Sequence, residues 1–188
     1  MDRTYARRVR RILLVLAPVA AVVLAAGLWA FEPWRLFTSS EIDEARPSTA
    51  PVASTPSASS PTPHGTPSAA PSARDRVLST GEFVDAEHDT TGTATVLQLA
   101  DGRRFLRFEQ LASSDGPDLH VWLTDAPSGG DWNSYDDGAH LHLGNLKATH
   151  GNQNYRIPDD ADLSAMRSVV IWCDRFNVAF GTAPLSLG

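Results

Sequence analysis

Cysteine occurs once in this 188-residue chain, at Cys173. That single thiol excludes an internal disulfide framework and any cysteine-rich zinc site. Lysine also occurs once, at Lys147, against 15 arginines, a usage that fits a GC-rich, bacterial source. Basic residues are scarce in the C-terminal part: residues 76–188 carry 8 basic and 16 acidic side chains, a net charge of 8 − 16 = −8. Such a surface repels phosphate backbones, so no nucleic-acid partner is expected. The chain has no G-x-S-x-G elbow, P-loop, G-x-G-x-x-G or H-E-x-x-H motif, and so no signature of a hydrolase or a nucleotide-binding enzyme. Residues 76–188 also lack a long amphipathic helical pattern, and no internal repeat is visible.

What is present falls into three unlike pieces. Arg3, Arg7, Arg8, Arg10 and Arg11 form a basic tail over residues 1–11. Residues 12–31 follow without a charge, long enough as a helix to span a ~30 Å hydrocarbon core. Pro18 inside it is tolerated in a membrane helix. Trp29, Phe31, Trp34 and Phe37 suit the headgroup layer, and the arginines favour a cytoplasmic N-terminus. These features predict a single-pass plasma-membrane anchor with the rest of the chain outside the cell membrane. A cleaved signal peptide is the competing reading. Its hydrophobic region would be shorter, and bulky Leu28 and Trp29 follow the passable Ala25-Ala26-Gly27 cleavage site. Seven of the 13 prolines then fall between Pro47 and Pro71. From Thr38 to Asp75 the chain is rich in Ser, Thr, Pro and Ala, with too little apolar bulk to offset ordering entropy, and is expected to be a disordered stalk.

Residues 76–188 read as an all-β domain, a small β-sandwich or barrel. Thr95–Leu99 and Arg104–Phe108 flank Asp101-Gly102, a strong hairpin signal; a two-residue turn there places Leu97, Leu99, Leu106 and Phe108 on one face. Further short apolar runs lie at 119–123, 140–143, 154–157, 168–173 and 176–180. Asp159–Met166 is the one place for a helical turn.

Candidate chemistry centres on Cys173. A tight turn at Asp174-Arg175 sets Val169 opposite Phe180, Ile171 opposite Val178 and Cys173 opposite Phe176, all on one apolar face, with Cys173 at its rim. A wider loop would expose the thiol further. Two roles are open: a small hydrophobe at the core edge, or a lone thiol that does one-electron chemistry or ligates a prosthetic group such as haem. His140 and His142 share a strand face by period two, but two ligands do not make a metal site, and the third would have to come from His120. Residues 131–138 superficially resemble a calcium loop, yet Tyr135 stands where a ligand is needed and no Glu follows at the twelfth position. The role of His88, in a loop before the first strong strand, is open.

Gly81-Glu-Phe83, His88 with Gly92, Gly116-Pro-Asp118, Leu143–Lys147, Gly151–Tyr155, Ile157-Pro158, Asp162-Leu163 and the block Ser168–Cys173 followed by Phe176–Gly181 occur in an order that resembles the DM-13 domain family, over residues 79–188. The resemblance implies an extracytoplasmic β-rich module for electron transfer or redox modification at cell surfaces. It implies that Cys173 is the working atom, as bare thiol or ligand to a bound group, with His88 as a second participant. Some family members are fused to haem-binding domains; here any redox partner must be a separate molecule. The rival reading is a non-catalytic binding module that displays Trp132 and Tyr135 on the 125–138 loop to a cell-surface partner.

Overall fold

In the computed structural model of the chain, the residues described are 16–29, 38–49 and 74–187. Two compact units are present, Met1–Thr38 and Ser39–Gly188. In the first, residues 16–29 form a helix (α1) with exposed apolar side chains such as Val22 and Leu24. Among the described residues no helix is long and apolar enough to cross a membrane. The flanking positions of the expected twenty-residue span, the basic tail and residues 50–73 of the expected stalk lie outside the described residues.

The second unit is a two-sheet sandwich. Its strands are β1 (Glu41–Asp43), β2 (Arg76–Glu82), β3 (Val84–Asp85), β4 (Thr91–Gln98), β5 (Arg104–Ala112), β6 (Leu119–Thr124), β7 (His140–Asn145), β8 (His150–Ile157), β9 (Ser168–Cys173) and β10 (Val178–Pro184). One sheet has the order β1-β8-β5-β4-β2 and the other β3-β10-β9-β6-β7. On β4, β5, β6 and β9, apolar residues at every second position point between the sheets, as period-two alternation dictates. Val96, Leu106, Phe108, Val121, Leu123, Ile171 and Phe180 meet there in one core. Burial of side chains this size stabilises the fold by roughly 1.5–3 kcal/mol each. No helix forms at Asp159–Met166; two separate turns occupy it.

The β4–β5 hairpin closes one residue differently from the expectation. Leu99 N–H donates to Arg103 O at 2.8 Å, and Gly102, at φ +89°, takes the left-handed turn position. Val96 therefore pairs with Leu106 and Ala94 with Phe108. A one-residue slip exchanges faces along a strand: Leu97 pairs with Phe105 on the side away from Leu106 and Phe108.

The first part of the expected stalk is ordered. β1 lies inside that stretch and pairs in parallel with β8, Glu41 beside His150 and Asp43 beside Asn152. Too few apolar residues predicted disorder, but polar groups hold this segment. Ser40 N–H donates to Thr149 Oγ1 at 3.0 Å, and Lys147 Nζ lies 2.8 Å from Glu44 Oε1. The Glu44 backbone oxygen accepts from Arg107 Nη1 at 3.0 Å. Gly151, at φ +97°, permits the approach, because a Cβ there would meet the backbone of Ile42.

Candidate redox site at the closed end of the second sheet

Cys173 is the last residue of β9. It pairs with Leu119 of β6 and Val178 of β10. The inward face comes out as expected, since Val169, Ile171 and Cys173 all join the main core. The turn does not. Residues 174–177 form a four-residue loop with Asn177 at φ 56°, and the ladder skips a residue at Phe180, so Gly181 pairs with Ile171. Phe176 is 43% exposed instead of facing Cys173. The wider loop does not uncover the thiol: Cys173 is 0% exposed. The 113–118 connection closes over this end, where Gly116 packs so tightly that a Cβ would strike the rings and methyls of Phe180 and Leu119.

Burial pushes the Cys173 thiol up from its ordinary range, and the Asp118 carboxylate adds to the rise. The amide groups of Phe176, Asp118 and Arg175 act the other way, favouring the thiolate, without overcoming burial. A neutral thiol in a packed core fits neither a ready nucleophile nor a metal ligand. Nor do its surroundings fit a haem. An axial thiolate needs an open face for the macrocycle, whereas Cys173 is enclosed by core side chains. Two surface clefts among the described residues, of about 680 and 350 Å³, are lined by other residues, among them Phe105, Leu143 and Asn154 for the first and Glu41, Gln110 and His150 for the second.

His88 does not meet Cys173 through any hydrogen bond or ring contact. It follows β3, with its ring centroid 3.9 Å from that of Phe180, and its backbone N–H donates to Phe180 O at 3.2 Å. Partial burial holds its pKa below the usual histidine value, against the pull of Glu87 and Asp89.

The outer face of the same sheet carries a second cluster that sequence reasoning missed. Trp122, Tyr135, Val170, Trp172 and Ala179 bury one another there. Residues 125–138 strap over this face. Ala179 N–H donates to Trp132 O at 2.8 Å, and Gly130 N–H donates to Tyr135 Oη at 2.9 Å. Tyr135 is therefore fully buried and is not the contact residue expected of it; Trp132 stays 46% exposed. Trp172, the neighbour of Cys173 in sequence, stacks on Trp122 with centroids 5.1 Å apart. Trp122 stacks in turn on exposed His140 at 4.5 Å. Trp122 Nε1 is buried without a hydrogen-bond partner among the described residues.

The three histidines do not converge as a ligand set. His142 Nε2 lies 2.8 Å from His120 Nδ1, while His120 Nε2 faces Asp118 Oδ1 at 2.9 Å and Asp174 Oδ2 at 3.4 Å. Burial, chiefly, with His120 beside it, lowers the pKa of His142. The signal for this cluster was present as His120 and Trp122 two apart on β6 and His140 and His142 two apart on β7. The pairing of those strands, which joins Trp122 to His142, was not legible.

The profile of the family described as Electron transfer DM13 matches residues 82–185, more than half of the chain. No curated protein and no solved structure matches it.

Proposed function

The chain belongs to the DM13 electron-transfer family, and from that membership we propose that the domain passes single electrons, with Cys173 as the redox-active atom and the stacked Trp172–Trp122–His140 column as its route to the surface. The column is the observation that supports this reading, because it links the strand that ends in Cys173 to an exposed ring by contacts of 5.1 and 4.5 Å. A buried thiol that no bulky oxidant can touch still exchanges electrons through such a path. In the proposed step the Cys173 S–H gives one electron to a separate acceptor, such as a ferric haem or quinone of a partner protein. Its proton is released to bulk water, leaving a thiyl radical and a one-electron-reduced partner. The return step takes one electron and the proton back. A single cysteine allows no internal disulfide, so the two-electron dithiol–disulfide couple is closed to this domain on its own. Trp122, with no acceptor for its indole N–H among the described residues, holds its proton when oxidised and hands the charge on.

Two further elements belong to the proposal. Residues 12–31 tether the domain at the plasma membrane, N-terminus inside, so that it works on the extracytoplasmic side. The exposed Trp132 supports the rival reading of a non-catalytic binding module, and it is equally suited to hold a redox partner over the column.

The test uses two reagents on the folded full-length chain. A bulky aromatic disulfide reports access to sulfur; hexachloroiridate, a one-electron oxidant, reports electron exchange. The expected result is a thiol inert to the first and consumed by the second, more slowly in Trp122→Phe. A thiol untouched by both until the protein unfolds would leave Cys173 with packing alone and favour the binding module, in which Trp132→Ala, and not Cys173→Ser, abolishes partner capture.

A further inference from the structure

The acidic notch beside the column has a feature that the electron path does not use. Two carboxylates converge on one ring nitrogen: Asp118 and Asp174 both face His120 Nε2, at 2.9 and 3.4 Å. Asp174 N–H donates to Asp118 O at 3.0 Å, which fixes the two backbones side by side. A neutral imidazole offers one N–H at Nε2, enough for one oxygen and not for both. The other ring nitrogen, Nδ1, lies 2.8 Å from His142 Nε2. In the tautomer whose Nδ1–H donates to His142, Nε2 presents a lone pair to two anionic groups, an arrangement that a bound cation satisfies.

We propose that Asp118, His120 and Asp174 bind a divalent transition-metal ion, of which Zn²⁺ is the representative, with His142 as the acceptor that fixes the His120 tautomer. The three ligand atoms lie within 4.8 Å of one another. Around an ion with ligands at about 2.1 Å, neighbouring donors stand ~3.0–3.4 Å apart, and the two edges from His120 Nε2, at 2.9 and 3.4 Å, are close to that. Asp118 and Asp174 side chains are 41% and 44% exposed, so they have room to bring in the third edge, and water completes the coordination sphere. His120 is only 11% exposed, its ring held by the sheet and by His142. An imidazole among the donors selects Zn²⁺ and its transition-metal neighbours over Mg²⁺ and Ca²⁺. A ring N–H passed to an outer acceptor is the usual support of a metal-ligating histidine. The site is on the outer side of the sheet, and its loading does not depend on the redox role of Cys173.

Titration calorimetry of the tag-free full-length chain with Zn²⁺ tests this. The expected result is one ion per chain, not displaced by excess Mg²⁺, with the same stoichiometry in Cys173→Ser. Asp118→Asn and Asp174→Asn, near-isosteric changes, each weaken binding at least ~10-fold. His142→Gln weakens it by about 10–100-fold, the ordinary size of an outer-shell loss. His140→Gln leaves it intact. Absence of binding by a chain with native circular dichroism overturns the proposal. So does binding that survives both aspartate changes or disappears in His140→Gln, since the ion would then sit on the His140/His142 pair.

Discussion

Cys173→Ser replaces one sulfur by one oxygen at a position with no solvent contact, between Leu119 and Val178. A hydroxyl buried without compensation costs about 1–3 kcal/mol by mutational measure. The amides of Phe176, Asp118 and Arg175 that bear on the sulfur can donate to the new oxygen and return roughly 0.5–1.5 kcal/mol. The net loss expected is ~1 kcal/mol. With a urea slope of about 1.5–2 kcal/mol per M, the unfolding midpoint falls by roughly 0.5–0.7 M at unchanged slope. Cys173→Ala, which adds no polar atom, serves as the comparison. A change within about ±0.5 kcal/mol, the range of surface substitutions, would refute the enclosed placement of the thiol and with it the need for an aromatic route. Because the domain stays largely folded in water at the predicted loss, redox measurements on Cys173→Ser remain interpretable.

Other expectations follow from single contacts. Gly151→Ala forces a side chain into φ +97° against Ile42, at a cost of the order of 1–3 kcal/mol, and amide exchange detects it as release of β1 before global unfolding. The Glu44 carboxyl, despite burial that raises it, is held below its ordinary value by Lys147, the Asn154 amide and Arg107. Its contribution is present above pH 4.5 and is lost as pH falls through the lowered folded value; Glu44→Gln removes it, about 0.2–1 kcal/mol for an ion pair near the surface. His88 has the opposite character, a cation disfavoured in the folded state. The unfolded chain takes up that proton first near 6.5, so stability falls as pH drops through that value. Denaturant midpoints between about pH 5 and 8 vary less in His88→Gln than in the parent. Tyr135→Phe deletes the acceptor for Gly130 N–H and costs about 1 kcal/mol, with faster exchange confined to the 125–138 strap.

The sandwich was legible because its strands are short, alternating and punctuated by turns. Six of the expected apolar runs coincide with β4, β5, β6, β7, β8 and β9. Register was not legible. One residue more in the Leu99–Arg103 hairpin loop and two more in the loop at residues 174–177 moved every partner, and nothing in Asp-Gly or Asp-Arg states loop length. β1 escaped notice since its hold on β8 consists of polar contacts from residues over a hundred positions away, such as Thr149 and Asn152. At the site, the inward direction of Cys173 followed from alternation, while its depth depended on how the 113–118 connection folds over it. The outer cluster needed three strands and a loop to be placed together. Trp122, Trp172 and Tyr135 look like surface residues until residues 125–138 cover them.

The most direct test of the electron path is transient absorption after pulse radiolysis with azide radical, which oxidises tryptophan within microseconds. The tryptophanyl signal is expected to decay by a concentration-independent step in the parent chain, as the hole moves from the Trp122–Trp172 pair to Cys173. A markedly slower decay is expected in Cys173→Ser and a smaller fast phase in Trp122→Phe. Equal decay in the parent and Cys173→Ser would contradict that path, because the buried thiol would then exchange no electrons with the column beside it.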